Sequence, residues 1–377
     1  MSVIVREVKD KKDLKDFVYF ANRLYKGNEY YAPSLISDDY NTFDPARNGA
    51  MDFCDHQAFL AEKDGKLVGR VMAIINRKAN EAWKVEQVRF GWIDFIDDEE
   101  VAKALLEKVE AWGRERGMKQ IVGPLGFTDF DPEGMLVEGF DRLATMIGIY
   151  NHPYYPEFLE KFGFTKETDW VEYRITIPET LPERYYKYSE LVVNKYKLKV
   201  RKVTRRMIDK EDYGRKFFDL INQTYYKLYG FSLLSDRQIE SYTKQYLALL
   251  DLRMVSFVED ENGDLVAAGV TMPDLTRALQ KCDGELFPTG WYHMLKAIFW
   301  KPCDTLNMLL VGVREDYQNK GLNAVIITDL FPRLKAMGFK YAETTSELET
   351  NDQIQAMWKY FDREQHKRRR VYGKTME

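Results

Sequence analysis

The residues best suited to chemistry in this 377-residue chain are Gln318-Asn319-Lys320-Gly321-Leu322-Asn323. They form a polar turn between an apolar run, Leu306 to Val313, and a second run in which Leu322, Val325, Ile326, Leu330, Leu334 and Met337 recur at helical spacing. The first run reads as a strand covered on both faces, and Gly338 reads as the stop of the helix that follows the turn. Pro332, inside that helix, predicts a kink near its middle. A turn of this kind aims successive backbone N–H groups at one point. Those donors have no intrahelical partner and sit at the positive end of the helix dipole, so the turn suits a phosphate or pyrophosphate. Gly321 has no Cβ to hold the anion off the backbone, and the Lys320 cation is secondary to the main-chain donors.

Gln-Asn-Lys-Gly-Leu-Asn resembles the acyl-CoA pyrophosphate loop of the GNAT N-acyltransferase superfamily, Gln/Arg-x-x-Gly-x-Gly/Ala, with Asn323 in place of the last small residue. The resemblance implies acetyl-CoA or another acyl-CoA as co-substrate, bound at Gln318, Asn319, Lys320, Gly321, Leu322 and Asn323. It also implies that backbone N–H groups at Val311 and Val313 hold the thioester carbonyl, and that Asn351 is the helix-start asparagine of the cofactor site. In the superfamily the usual thiolate acid is a tyrosine seven residues after that asparagine. Here that residue is Trp358, which has no acidic hydroxyl, and Tyr360 is a substitute on a different helix face. For the base that deprotonates an amine, Glu343, Glu347 and Glu349 alternate along one strand-like run toward the expected cleft. The same alternation also describes a solvated strand face.

The elements around the turn occur twice. A short strand (Val3 to Val8) and a helix (Leu14 to Tyr25) precede a hairpin, Gln57 to Glu62 and Leu67 to Ile75. Lys199 to Val203, a helix near Arg215 to Tyr226 and the hairpin Val255 to Glu259 and Leu265 to Thr271 repeat that order. Each set continues with a strand, a helix closing on Gly117 or Gly338, and a further strand. Glu160-Lys161-Phe162-Gly163-Phe164 and the strand after it resemble the close of a GNAT domain; in the second copy Asp362 replaces that glycine. The expectation is an α/β (α+β mixed sheet) protein of two tandem GNAT-like domains, each a twisted mixed sheet flanked by helices. Residues 1–178 form the degenerate copy and 179–377 the copy with the acyl-CoA loop, divided where Pro178 and Pro182 bracket a polar linker.

Charge separates the copies. Asp97, Asp98, Glu99 and Glu100 stand at the first copy's equivalent helix start, where they satisfy the dipole from within and repel a pyrophosphate. Only 21 residues separate Phe95 from Gly117, against 24 between Val313 and Gly338. One acyl-CoA per chain is therefore expected. The loop Gly123 to Gly134 follows a strand and reads either as part of a site or as a cap on a domain edge. The basic run His366 to Arg370 reads as the charged, solvated side of an edge strand.

Composition narrows the class. With 45% hydrophobic residues the chain can fill two cores, and a net charge of −4 argues against an electrostatic nucleic-acid binder. Three dispersed cysteines fit a reducing compartment, and four scattered histidines give no metal spacing, so no metal is expected. No apolar run approaches a membrane span, and the expected setting is cytoplasmic with no membrane partner. These readings converge on an N-acyltransferase that moves an acyl group, acetyl by default, to a small-molecule or peptide amine acceptor. The alternatives are a silent acyl-CoA-binding or sensing protein and a tandem aminoacyl transferase fed by aminoacyl-tRNA.

Overall fold

Strands in this chain are short runs of β-branched and aromatic residues broken by polar turns, and the first five of each half pair in the order they are made. The computed structural model describes residues 2–247, 250–300 and 302–376. In the first half β1 (Ile4–Glu7), β2 (Cys54–Lys63), β3 (Lys66–Asn76), β4 (Gln87–Phe95) and β5 (Gln120–Gly123) lie side by side, followed along the chain by β6 (Met135–Glu138) and β7 (Thr165–Thr176). The second half repeats the pattern with β8 (Lys199–Arg201), β9 (Val255–Glu259), β10 (Leu265–Pro273), β11 (Thr305–Val313) and β12 (Tyr341–Thr344), then β13 (Glu347–Leu348) and β14 (Arg363–Thr375). Within each set of five, neighbours are antiparallel except for one parallel pair, β4 with β5 and β11 with β12.

Helices cover both faces of each half. Helix Glu99–Arg114 buries Val101, Leu105, Val109 and Trp112 against Phe59, Phe90 and Phe95, while Phe17 and Val18 of helix Lys11–Leu24 cover the other side. In the second half helix Leu322–Ala336 buries Leu322, Val325, Ile326, Leu330 and Leu334, the apolar face expected of it, against Val266, Ala267, Leu306 and Ala342. The opposite face takes Phe217, Phe218 and Ile221 of helix Tyr213–Tyr225. Gly269 of β10 is required by this packing, since a Cβ there would lie 2.6 Å from Ile326 Cγ2. The helix runs on through Pro332 to Ala336 rather than ending at it.

The two sets are joined edge to edge into one 14-stranded sheet, and their last strands change places. β14, from the end of the chain, pairs with β5 of the first half; β7, from the end of the first half, pairs with β12 of the second. β7 and β14 also pair with each other along most of their length, and β6 and β13 attach to β14 and β7. The chain passes between halves through Pro178 to Pro182 into helix Glu183–Lys195, which packs on Leu322–Ala336, where Thr328 Oγ1 donates to Ser189 Oγ at 2.8 Å.

This exchange corrects the reading of His366 to Arg370 as a solvated edge. β14 is an interior strand, so its charges had to be matched inside the protein. Arg369, 0% exposed, donates to Glu172, which also lies 3.4 Å from Lys367 Nζ. Arg368 and Arg370 both reach Asp169, at 3.0 and 2.8 Å. Burial alone would raise the Glu172 carboxyl, but the charges of Arg369 and Lys367 outweigh it and hold it at about 2. Because its ordinary value is 4.5, Glu172 contributes stability that is complete above pH 4.5 and lost as pH falls toward 2.

Arg369→Ala should therefore cost about 3–5 kcal/mol in urea titrations by leaving Glu172 buried without its main partner. Fluorescence and circular dichroism should report one transition for the whole chain. Two separated transitions would mean that the halves fold independently despite the shared strands.

Candidate functional site

The turn after β11 is built by two left-handed residues, Asn319 at φ 59° and Gly321 at φ 86°. Gln318 N donates to Glu315 O, Lys320 N to Tyr317 O and Ala324 N to Gly321 O. Among the described residues, the backbone N–H groups of Asn319, Gly321, Leu322 and Asn323 have no acceptor in the chain. They stand at the start of helix Leu322–Ala336, whose cap is Gly321 and whose first turn holds no acidic residue. Gln318 Nε2 donates to Val313 O at 3.3 Å, which ties the turn to the end of the strand. Lys320 Nζ lies over the rings of Tyr196 and Tyr317, 5.1 and 4.9 Å from their centroids. A Cβ on Gly321 would meet not open space but the Tyr188 hydroxyl, at 2.6 Å. Beside the turn opens a depression of about 600 Å³ lined by Gln223, Tyr226, Arg314, Glu315 and Asp316.

β11 and β12 pair only over Thr305–Met308 and Tyr341–Thr344, and then they part. A register shift in β11 opposite Val270/Thr271 marks the divergence. Beyond it the chain from β12 continues into β13, which pairs with β7 instead. Val311 and Val313 lie on the stretch of β11 that pairs with β10 but not with β12. Tyr225, on helix Tyr213–Tyr225, donates its hydroxyl to Val311 O at 3.0 Å.

Glu347, 8% exposed, begins β13 within electrostatic reach of Tyr225. Its Oε1 accepts from Trp358 Nε1 at 2.8 Å, and its buried Oε2 has no partner. Burial pushes this carboxyl up to about 7, against the opposing pull of the Trp358 N–H and the Arg363 charge. A half-ionised carboxyl with one free oxygen is equipped to take a proton near neutrality.

Glu343 is placed differently. It is 6% exposed on β12 and lies 3.3 Å from Lys367 Nζ and 3.4 Å from Arg174 Nη1, so both its oxygens are engaged. Burial raises its pKa while Lys367 lowers it. Glu349 is held by Arg368 and Lys166. The solvated-face alternative thus gives way to burial for Glu343 and Glu347. Tyr360 is 75% exposed, stacked loosely under Arg184, and makes no hydrogen bond among the described residues. Asn351 caps helix Asp352–Met357 by accepting from Ile354 N. The structure therefore brings Val311, Val313, the 318–323 turn and Glu347 around the parted strands, and leaves Tyr360 outside them. Tyr188 and Tyr225 escape sequence reasoning because each lies on a helix with no motif of its own.

In the first half the corresponding places are filled. β4 and β5 pair only from Gln87 to Arg89, but Leu125 N donates to Phe90 O at 3.0 Å and Arg89 Nη1 to Gly126 O at 3.1 Å. The Gly123–Gly134 loop thus folds back into the gap; a Cβ on Gly91 would lie 2.5 Å from Leu125 O. Tyr154 and Tyr155 donate to Phe95 O farther along β4. At the helix start Asp98 accepts from Glu100 N, and Lys63 neutralises Asp98 and Glu100 at 2.6 and 2.9 Å.

No family model matches the sequence. The chain is 28% identical over 386 aligned positions to Protein YghO of Escherichia coli K12, covering 99% of this chain and 95% of that protein. It is 24% identical over 377 positions to a bacterial ceramide synthase of Caulobacter vibrioides, covering 98% and 96%. Among solved structures, a tandem GNAT protein from the clavulanic acid biosynthesis pathway superposes with a TM-score of 0.56 at 10% identity, over 99% of this chain and 98% of that one. The fold is that of a tandem GNAT protein. In tandem GNAT terms, the open gap and free turn lie in the second copy and the closed gap in the first. Among the described residues no group of histidine, cysteine and carboxylate side chains could hold a metal, and no helix is long and apolar enough to cross a membrane.

The raised carboxyl of Glu347 has a measurable consequence. A folded-state pKa above the unfolded value stabilises the protein below the unfolded value, and that stability is lost as pH rises through the folded one. Relative to Glu347→Gln, wild type should therefore lose stability as pH climbs from about 4.5 through 7. Trp358→Phe removes a donor that favours the charged form, and should move the carboxyl's midpoint, read by carbon NMR, further up.

Proposed function

We propose that the second half transfers an acyl group from acyl-CoA to an amine. The observation that carries this reading is Glu347, buried on β13 past the parting of β11 and β12, with one oxygen free among the described residues and a pKa near 7. The turn suits the pyrophosphate of CoA: four main-chain donors without acceptors among the described residues lie at a helix start with no carboxylate in its first turn. Tyr188 must swing aside from Gly321 for the closest approach. Bound there, acyl-CoA would supply the activated thioester, with Gln318 to Asn323 around its phosphates and the stretch of β11 from Val311 to Val313 beside its acyl end. Glu347 Oε2 removes the proton from the attacking amine, and Trp358 fixes the carboxyl by holding Oε1. Tyr225, whose hydroxyl is already committed to Val311 O and whose pKa burial raises to about 12, stands nearer the parted strands than Tyr360 as a donor for the leaving thiolate.

One relative is named a ceramide synthase. A ceramide is the amide of a long-chain amino alcohol, so we extend the proposal to a long-chain amino alcohol as acceptor and to acyl groups longer than acetyl. The second reading, a silent acyl-CoA binder, is favoured by one feature: Trp358 occupies the place of the usual acid and clamps Glu347.

Calorimetry with CoA should give one site per chain. Ligand at 100 times its dissociation constant should stabilise the fold by about 2.7 kcal/mol. Asn323→Asp, which copies the acidic helix start of the first half without crowding the turn, should weaken binding while leaving the fold intact. Free-thiol assays with palmitoyl-CoA or acetyl-CoA and a long-chain amino diol should show kcat/KM falling below about pH 7 as Glu347 protonates. Glu347→Gln should abolish that limb and most of the turnover. Binding without turnover for any amine would favour the silent binder, and no binding would remove the acyl-CoA reading.

A further inference from the structure

Residues 286–300, between β10 and β11, carry an apolar surface that none of the described residues covers. Helix Gly290–Leu295 and the wider turns Lys296–Trp300 that extend it are buried on one side, where Met294 and Ile298 meet Leu275, Ala278 and Leu279. The opposite side is also apolar. Trp291, Tyr292, Phe299 and Trp300 are all exposed along it, the last at 63%, and Phe287 just before it is 79% exposed. A helix that is apolar on both sides buries both. Scattered exposed hydrophobic residues are ordinary, but five large aromatics within one short segment are not.

The chemistry of the segment selects its occupant. It contains Lys296 and His293 and no carboxylate, in a chain with 60 acidic residues. Lys296 Nζ leans over the Tyr292 ring at 5.7 Å with its charge outward. Trp, Tyr and Phe with a snorkelling lysine are the side chains that settle at the headgroup level of a bilayer, and the missing carboxylates remove the repulsion that an anionic surface would exert.

We propose that this face docks the protein on an anionic lipid surface, with Phe287, Trp291, Phe299 and Trp300 inserted at the level of the headgroups and Lys296 among the phosphates. The protein lies on the membrane and does not span it. On the inner side of the segment, Thr276 Oγ1 is 3.3 Å from the Asp274 carboxyl, and Asp274 accepts from Asn307 on β11. The docked segment is therefore separated from β11 by helix Thr276–Lys281, against which Met294 and Ile298 pack. Docking rests on the surface alone and not on acyl transfer, so vesicle binding without turnover leaves it standing.

The test is sedimentation with sucrose-loaded vesicles of phosphatidylglycerol and phosphatidylcholine, alongside vesicles of phosphatidylcholine alone. Wild type should bind the mixed vesicles and bind the neutral ones more weakly, with a blue shift of tryptophan emission. The triple variant Phe287→Ala, Trp291→Ala, Trp300→Ala should lose on the order of tenfold or more in partitioning. Lys296→Glu should weaken binding to the anionic vesicles only. Leu191→Ser, at an exposed leucine on helix Glu183–Lys195, should change nothing. Failure of wild type to sediment, equal binding by the triple variant, or equal loss with Leu191→Ser would each overturn the proposal. So would a wild-type dimer in sedimentation velocity that becomes monomeric in the triple variant, since the face would then join two copies of this chain.

Discussion

The Arg369–Glu172 pair in the middle of the sheet is the constraint on which the remaining structure depends. Two ions taken fully out of water are costly alone and tolerable only together. The pair pins β14 to β7 along the line where the halves meet, and Lys367 extends it by bridging Glu172 to Glu343 on β12. Four strands, β5, β14, β7 and β12, are thereby fixed in one order. Each half is completed by the other's last strand, so neither has a closed sheet without its neighbour.

That seam also sorts the carboxylates of the second half. Glu343, one residue pair from the seam, is drawn into it by Lys367 and Arg174 and has no oxygen to spare. Glu347 lies past the end of β12, where its side chain accepts from the indole N–H of Trp358 and feels the Arg363 charge rather than those of Lys367 and Arg174. Similar burial raises both carboxyls: that of Glu343 against the charge of Lys367, and that of Glu347 to about 7, against the weaker opposition of the Trp358 N–H and Arg363.

Much of the fold was legible because its signals are local. The hairpins at Lys63–Lys66 and Asn262–Gly263, the amphipathic face of Leu322–Ala336 and the doubled order of elements are patterns within a few residues. The exchange of β7 and β14 was not legible, because nothing within Arg363–Thr375 says which distant strand lies beside it. The basic run illustrates the cost: Lys367 and Arg369 carry the composition of a protected edge, and only the position of Glu172, far away in the chain, makes them interior residues. At the site, alternation put Glu343 and Glu347 on one run but could not say which would meet cations. A motif count led to Tyr360, whereas Tyr225 reaches the parted strands from a helix over a hundred residues earlier.

The contrast between the halves follows from what each places at one helix end. In the first half a carboxylate cap, Asp98, paired with Lys63, accepts from Glu100 N, and the Gly123–Gly134 loop closes the gap between strands. The first half also reaches across from three elements: Asp129 of the loop accepts from Ser232 N, Arg89 of β4 donates to Gly230 O, and Trp83 Nε1 of helix Arg77–Trp83 donates to Phe231 O. Gly230, Phe231 and Ser232 directly follow the helix that carries Tyr225. The first half thus fills its own gap and hydrogen-bonds to the segment that follows the helix carrying Tyr225. Gly321 does the opposite at its helix end, since a glycine cap brings no side chain to the donors and leaves them to whatever anion the turn receives. The two copies thus differ in which of them satisfies its own backbone at this helix start.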